Sequence, residues 1–233
     1  MAKKQVSRKE LLKKTDEFIN FSTRLALFIE KHKIRMLYSA LAIVVVFSIG
    51  SGIRYFSGRA ETRAFALLDN AIFKYNTDYQ ENSEDAAYLN VKQDFEHILD
   101  QYSGKKAADI AGVLYADICY NAQDFDRAIK LYKNAVDNFD GNGFYRNMAL
   151  SGLGYACEEK KDYKAALSYF QQLKDSGDNF MKYDALVKLG EIYSITGKTY
   201  KRDKIFDKII SDYPDSSYAK VVGERLNQGI RKK

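Results

Sequence analysis

Residues 150–173 read LSGLGYACEEKKDYKAALSYFQQL. Leu150, Leu153, Gly154 and Cys157 recur at the spacing of one helical face, and the polar run 158–161 (EEKK) breaks the pattern like a turn. A second apolar face follows at Tyr163, Ala166, Leu167, Phe170 and Leu173. The stretch is therefore two short amphipathic helices joined by a tight turn. One such pair cannot bury both faces alone, so the fold depends on whether the pattern repeats.

It does repeat. Thirty-eight residues upstream, Ala116, Cys119, Phe125, Ala128 and Tyr132 stand where Gly154, Cys157, Tyr163, Ala166 and Phe170 stand here. Thirty-six residues downstream come Gly190 and Phe206. That third copy runs through Leu186, Leu189, Gly190 and Tyr193, turns at Thr196, Gly197 and Lys198, continues to Phe206, Ile209 and Ile210, and closes at Pro214. Further upstream, Phe95 to Tyr102 parallels Phe206 to Tyr213, and Phe65, Leu68, Ile72 and Tyr75 give another helical pattern. The polar stretch 76–85 interrupts this degenerate pair.

The three copies resemble the tetratricopeptide repeat. That pattern places Leu-Gly and then a large residue on the first helix, Ala and an aromatic four residues on in the second, and Pro at the end. Here Leu153, Gly154 and Cys157 precede Ala166 and Phe170, and Leu189, Gly190 and Tyr193 precede Phe206 and Pro214. The departures are the lack of Trp, copies longer than the usual repeat, and Arg202 where a small residue is expected. The small residues imply close helix packing, with Tyr132, Phe170 and Phe206 filling the space between neighbouring repeats.

A second feature lies upstream. Residues 36–53 (MLYSALAIVVVFSIGSGI) carry no charge and are bracketed by Arg35 and Arg54. Eighteen helical residues span about 27 Å, close to a bilayer's apolar core. A cleaved signal peptide would have a shorter leader and a small-x-small cleavage site, and a core helix would show a polar stripe. Neither is present, so a transmembrane helix is expected. Ten basic residues precede it, against Arg54, Arg59 and Arg63 just after it. The positive-inside bias then places the N-terminus in the cytoplasm and the larger part across the membrane. Leu11, Phe18, Phe21, Leu25, Phe28 and Ile29 suggest that the tail is an amphipathic helix on the anionic leaflet; a basic topogenic segment is the other reading.

The net charge of +6 resides in this tail. Residues 1–35 hold ten basic and four acidic side chains, and the remainder holds 27 of each. A neutral repeat region lacks the footprint of a nucleic-acid binder. No catalytic constellation occurs: His32 and His97 are the only histidines and fall on opposite sides of the expected span. No phosphate-binding Gly loop or nucleophile elbow is present. Neither an enzyme, a cofactor, a metal nor a small-molecule substrate is expected. Cys119 and Cys157 occupy equivalent inward positions of adjacent repeats and are expected to be buried free thiols; a disulfide in an oxidising compartment is the other reading.

The expected fold is all-α: one N-terminal transmembrane helix followed by a tetratricopeptide-like α-solenoid. The divisions are a basic cytoplasmic tail (1–35), the span (36–53), a degenerate helix pair and loop (54–104), three repeats (105–215) and a capping helix (216–233). First helices of such repeats line a groove. By helical spacing its candidate residues are Ile110, Val113, Asp117 and Tyr120, then Met148, Ser151, Tyr155 and Glu158, then Asp184, Val187 and Glu191. Tyr, Met and Val with scattered carboxylates suit an extended or helical peptide with some basic character.

The order of parts, with Gly52, Ile53, Arg54, Tyr55 and Phe56 at the junction, resembles the YfgM-like family of bacterial inner-membrane proteins. Members associate with the Sec translocon and with a membrane-anchored periplasmic chaperone. The resemblance implies a periplasmic repeat domain and a scaffold or co-chaperone role in protein export or envelope quality control. The other reading of the same architecture is an assembly subunit of a secretion or cell-division machine.

Overall fold

The computed structural model describes residues 8–139 and 143–230. The first seven residues of the basic tail and residues 231–233 of the expected capping segment lie outside them, as do the side chains of Leu11, Phe18 and Leu25. Among the described residues the structure is all-α, without strands. The helices are α1 (Arg8–Glu81), α2 (Glu84–Gln101), α3 (Lys106–Asn121), α4 (Phe125–Asn138), α5 (Phe144–Glu159), α6 (Tyr163–Lys174), α7 (Asn179–Ile195), α8 (Thr199–Asp212) and α9 (Ser217–Ile230). The chain divides into two units, Met1–Gly58 and Arg59–Lys233.

The first unit is helical and holds the uncharged segment. Leu41, Val44, Val46 and Phe47 are each more than half exposed, and no part of the apolar window is buried by the protein. The helix is long and apolar enough to cross a membrane.

The second unit stacks helix pairs. α1 continues in it to Glu81, and Ser83 caps α2 by accepting from the amide of Ala86 at 3.3 Å. Glu61 of α1 accepts from the amide of Ala107 at 2.8 Å, which satisfies a donor at the start of α3. From α3 onward each helix packs on the next, and α3 also packs on α5 and α5 on α7. First helices of successive pairs therefore stand side by side.

The repeat is visible in the backbone. The turn within each pair places Gln123, Lys161 and Gly197 in the left-handed region, with φ of 59°, 61° and 69°. The amides of Asp124, Asp162 and Lys198 donate to the carbonyls of Cys119, Cys157 and Tyr193 at 2.8, 2.8 and 2.9 Å. This is a Schellman ending, repeated three times. Asp124 and Asp162 then cap the next helix, accepting from the amides of Arg127 and Ala165.

Phe170 and Phe206 share cores with the following helices, as expected of rings between repeats, and each ring also lies on the glycine of its own pair. A Cβ at Gly154 would come within 2.5 Å of the Phe170 ring, and one at Gly190 within 2.4 Å of the Phe206 ring. Arg202 leaves α8 unbroken: it pairs with Asp203 at 2.6 Å and lies 6.0 Å from the Phe206 ring centroid. Its guanidinium thus lies over an aromatic ring where a small residue is usual in the repeat.

Cys119 and Cys157 are free and buried. Burial pushes the Cys119 thiol up to about 12 and raises that of Cys157. At pH 8 both should react with a thiol reagent more slowly in the folded protein than after denaturation, Cys119 by at least about 100-fold, because only the thiolate attacks. Titration in urea without reductant should count two thiols; a count of zero would establish a disulfide instead.

Candidate functional site

The face made by α3, α5 and α7 carries an open cleft of about 270 Å³. Asp117 and Tyr120 enter it from α3, Tyr132 from α4, Met148, Ser151, Gly152 and Tyr155 from α5, and Met181 from α7. Its walls are mainly apolar, formed by the methionines and the tyrosine rings.

The floor depends on one missing side chain. Tyr132 belongs to a second helix, yet its ring slides under α5 because residue 152 is glycine: a Cβ there would lie 2.2 Å from the ring. The Tyr132 hydroxyl thereby reaches Asp117 and donates a hydrogen bond to it. Burial raises the Asp117 carboxyl above its ordinary value, and the Tyr132 hydrogen bond opposes that shift. The sign follows from linkage: the folded state holds this proton more firmly than the unfolded chain. That contribution to stability is present below the ordinary carboxylate range and lost as the pH rises through the raised value. Asp117 in its charged form thus costs the fold something.

Beside the cleft lies a charged network. The Tyr155 hydroxyl donates to both carboxylate oxygens of Asp184, at 2.9 and 3.0 Å. Lys188 pairs with Glu191 at 3.1 Å and Glu158 at 3.4 Å, and its ammonium sits 5.0 Å from the Tyr155 ring centroid. Burial alone would lower Lys188, but Glu191 and Glu158 together raise it. Tyr120 is raised by burial and then by Glu159 and Glu158.

Of the eleven residues expected in a groove, Asp117, Tyr120, Met148, Ser151 and Tyr155 meet in the cleft. Glu158, Asp184 and Glu191 are joined through Lys188 and Tyr155. The other three lie outside the cleft lining. Val113 is fully buried in the core, and Ile110 and Val187 are half-buried against it. For Ile110 and Val113 the reason is that α3 packs on α2, α4 and α5 together, which leaves a narrower open stripe than helical spacing implies. Tyr132, Gly152, Met181 and Lys188 were not foreseen. The signal for Gly152 was a second glycine two positions before the one that the repeat pattern requires.

A larger hollow, about 380 Å³, lies between α2, α3 and α4. Its lining is more polar than that of the cleft: Arg127 pairs with Glu96, Asn138 donates to Asp109 at 2.7 Å, and the buried Nε of Arg127 has no hydrogen-bond partner among the described residues.

The fold is similar to that of a kinesin light chain repeat protein of Podosopora anserina with nearly identical TPR-like repeats, at a TM-score of 0.53 and 9% identity over 67% of this chain and 77% of that one. A single-substitution variant of that protein matches at 0.54 and 9% over the same shares. No protein-family profile matches the chain, and no curated protein does. The class is therefore set by architecture: a TPR-like helical-repeat protein preceded by one apolar helix long enough to cross a membrane.

Proposed function

We propose that this protein is a membrane-anchored scaffold or co-chaperone that binds other proteins through the cleft on its first-helix face. The observation that carries this reading is the cleft itself. It is open and apolar-walled with a carboxylate at its floor, the combination of apolar lining and a few placed polar groups that binding sites use. The 18-residue uncharged segment anchors the chain in a bacterial inner membrane, with the N-terminus cytoplasmic and the repeats periplasmic. The role is non-catalytic. The order of tail, span and repeats supports the YfgM-like reading, in which the partners are translocon subunits and an anchored periplasmic chaperone in export and envelope quality control.

A photo-crosslinking amino acid at Ser151 tests this in native membranes. Tyr200, 81% exposed and outside the cleft, is the control position. Position 151 is expected to yield discrete protein adducts absent from position 200, with translocon or chaperone subunits among them. Adducts from a secretion or division machine alone would overturn the export role. Equal yields at both positions would overturn the cleft.

A further inference from the structure

We propose that the cleft receives a lysine or arginine side chain from the bound protein segment, with Asp117 as its counter-ion; this rests on the reading of the cleft as a protein-binding surface. Charge is the first argument. Asp117, Asp184, Glu158 and Glu191 stand in or beside the cleft, and the cation among them, Lys188, is already shared by Glu158 and Glu191. Asp184 is engaged by the Tyr155 hydroxyl. Asp117 accepts from Tyr132, while a carboxylate has about four acceptor sites on its two oxygens, so capacity remains toward the cleft. A partly buried carboxylate among methionines and tyrosines is unfavourable unless paired. An incoming acidic group would meet like charge here, and an incoming neutral side chain would leave the carboxylate unmatched.

Shape is the second argument. About 270 Å³ is below the usual range for small-molecule pockets and suits one long side chain rather than a docked helix. The Tyr120 and Tyr155 rings can flank an aliphatic stem or a cationic head, and the methionines adapt to either. Lys188, held 5.0 Å from the Tyr155 ring centroid, already shows such a cation on that ring.

The test selects a random 12-residue peptide phage library on the full-length protein in lipid nanodiscs. Parallel selections use Asp117→Asn, and Ser151→Trp, which fills the cleft. The wild-type protein is expected to enrich peptides with Lys or Arg at one fixed position beside apolar residues. One enriched peptide, labelled and measured by fluorescence anisotropy, should bind Asp117→Asn about tenfold more weakly, in line with loss of one charge-assisted hydrogen bond. Replacing its basic residue by norleucine should cost the wild type the same factor and Asp117→Asn nothing. Thermal melts guard against misfolding; Asp117→Asn should be no less stable than wild type, since the buried charge is gone. Enriched peptides without a basic residue, or a norleucine peptide that binds the wild type equally well, would overturn the cation site and leave the cleft standing. Enrichment that is identical on Ser151→Trp would overturn the cleft reading itself.

Discussion

Phe170→Ala is expected to lower the stability of the repeat unit by about 3–5 kcal/mol, the usual cost of deleting a fully buried aromatic ring. The Phe170 side chain is 0% exposed and lies on Gly154, edge-on to Tyr155 at 5.4 Å between centroids. It belongs to a core with Leu150, Leu173, Ala185 and Leu189, drawn from α5, α6 and α7. Backbone elements on three sides limit how far the site can collapse, so most of the cavity should persist. Helix pairs in such a stack touch only their neighbours, and the loss should pass to the adjacent pairs and broaden the transition. Urea unfolding followed by far-UV circular dichroism measures it; a loss below about 1 kcal/mol would refute the packing described. Gly154→Ala supplies the complementary measurement. In the wild-type background the new methyl meets the ring, an overpacking cost of about 1–3 kcal/mol that exceeds the gain of about 1 kcal/mol in helix propensity. In the Phe170→Ala background that collision is absent, and the same change should become neutral or stabilising. The double-mutant cycle should therefore show strong coupling between these two positions.

The double variant Val44→Arg, Val45→Arg is expected to release the protein from the membrane. These residues sit at the middle of the uncharged stretch 36–53. Each arginine there costs about 2.5–3.5 kcal/mol for insertion, so the pair costs roughly 5–7 kcal/mol and outweighs a segment whose leucine, isoleucine and valine residues gain only tenths each. Snorkelling cannot rescue both, because the middle of the span is the farthest point from either interface. Alkaline carbonate extraction should leave the wild type in the pellet and move the double variant to the supernatant. If the variant stays in the pellet, lipid embedding of this segment is refuted. The circular dichroism of the second unit should be unchanged, because its core begins only with residues such as Ala64 and Leu68.

The turn positions show how far local signals reach. Gly197 marks its own turn, because glycine takes a left-handed φ without strain. Gln123 and Lys161 adopt the same conformation without that signal. There the hydrogen bonds of the Schellman ending offset a backbone cost of about 1–2 kcal/mol. The repeat register locates these turns; residue type does not. The cleft residues show the opposite limit. Helical spacing selects Asp117, Tyr120, Met148, Ser151 and Tyr155, which line the cleft, and Val113, which is fully buried, although all follow from one rule. Periodicity gives the direction in which a side chain points, not the number of helices that come to cover it.

What the sequence determined by itself is the unit of construction: an uncharged stretch of membrane-spanning length, and two-helix copies at spacings of 38 and 36 residues, whose apolar faces oblige them to stack. Both follow from interactions within a few turns of helix, which neighbouring residues encode. The tertiary structure decided which stripe of each first helix stays open. It also decided that Tyr132 passes beneath Gly152 to reach Asp117, and that Lys188 stands between Glu158 and Glu191. Those contacts join residues of different helices, and their geometry is set by how closely the backbones approach, a quantity that exists only once the helices are packed.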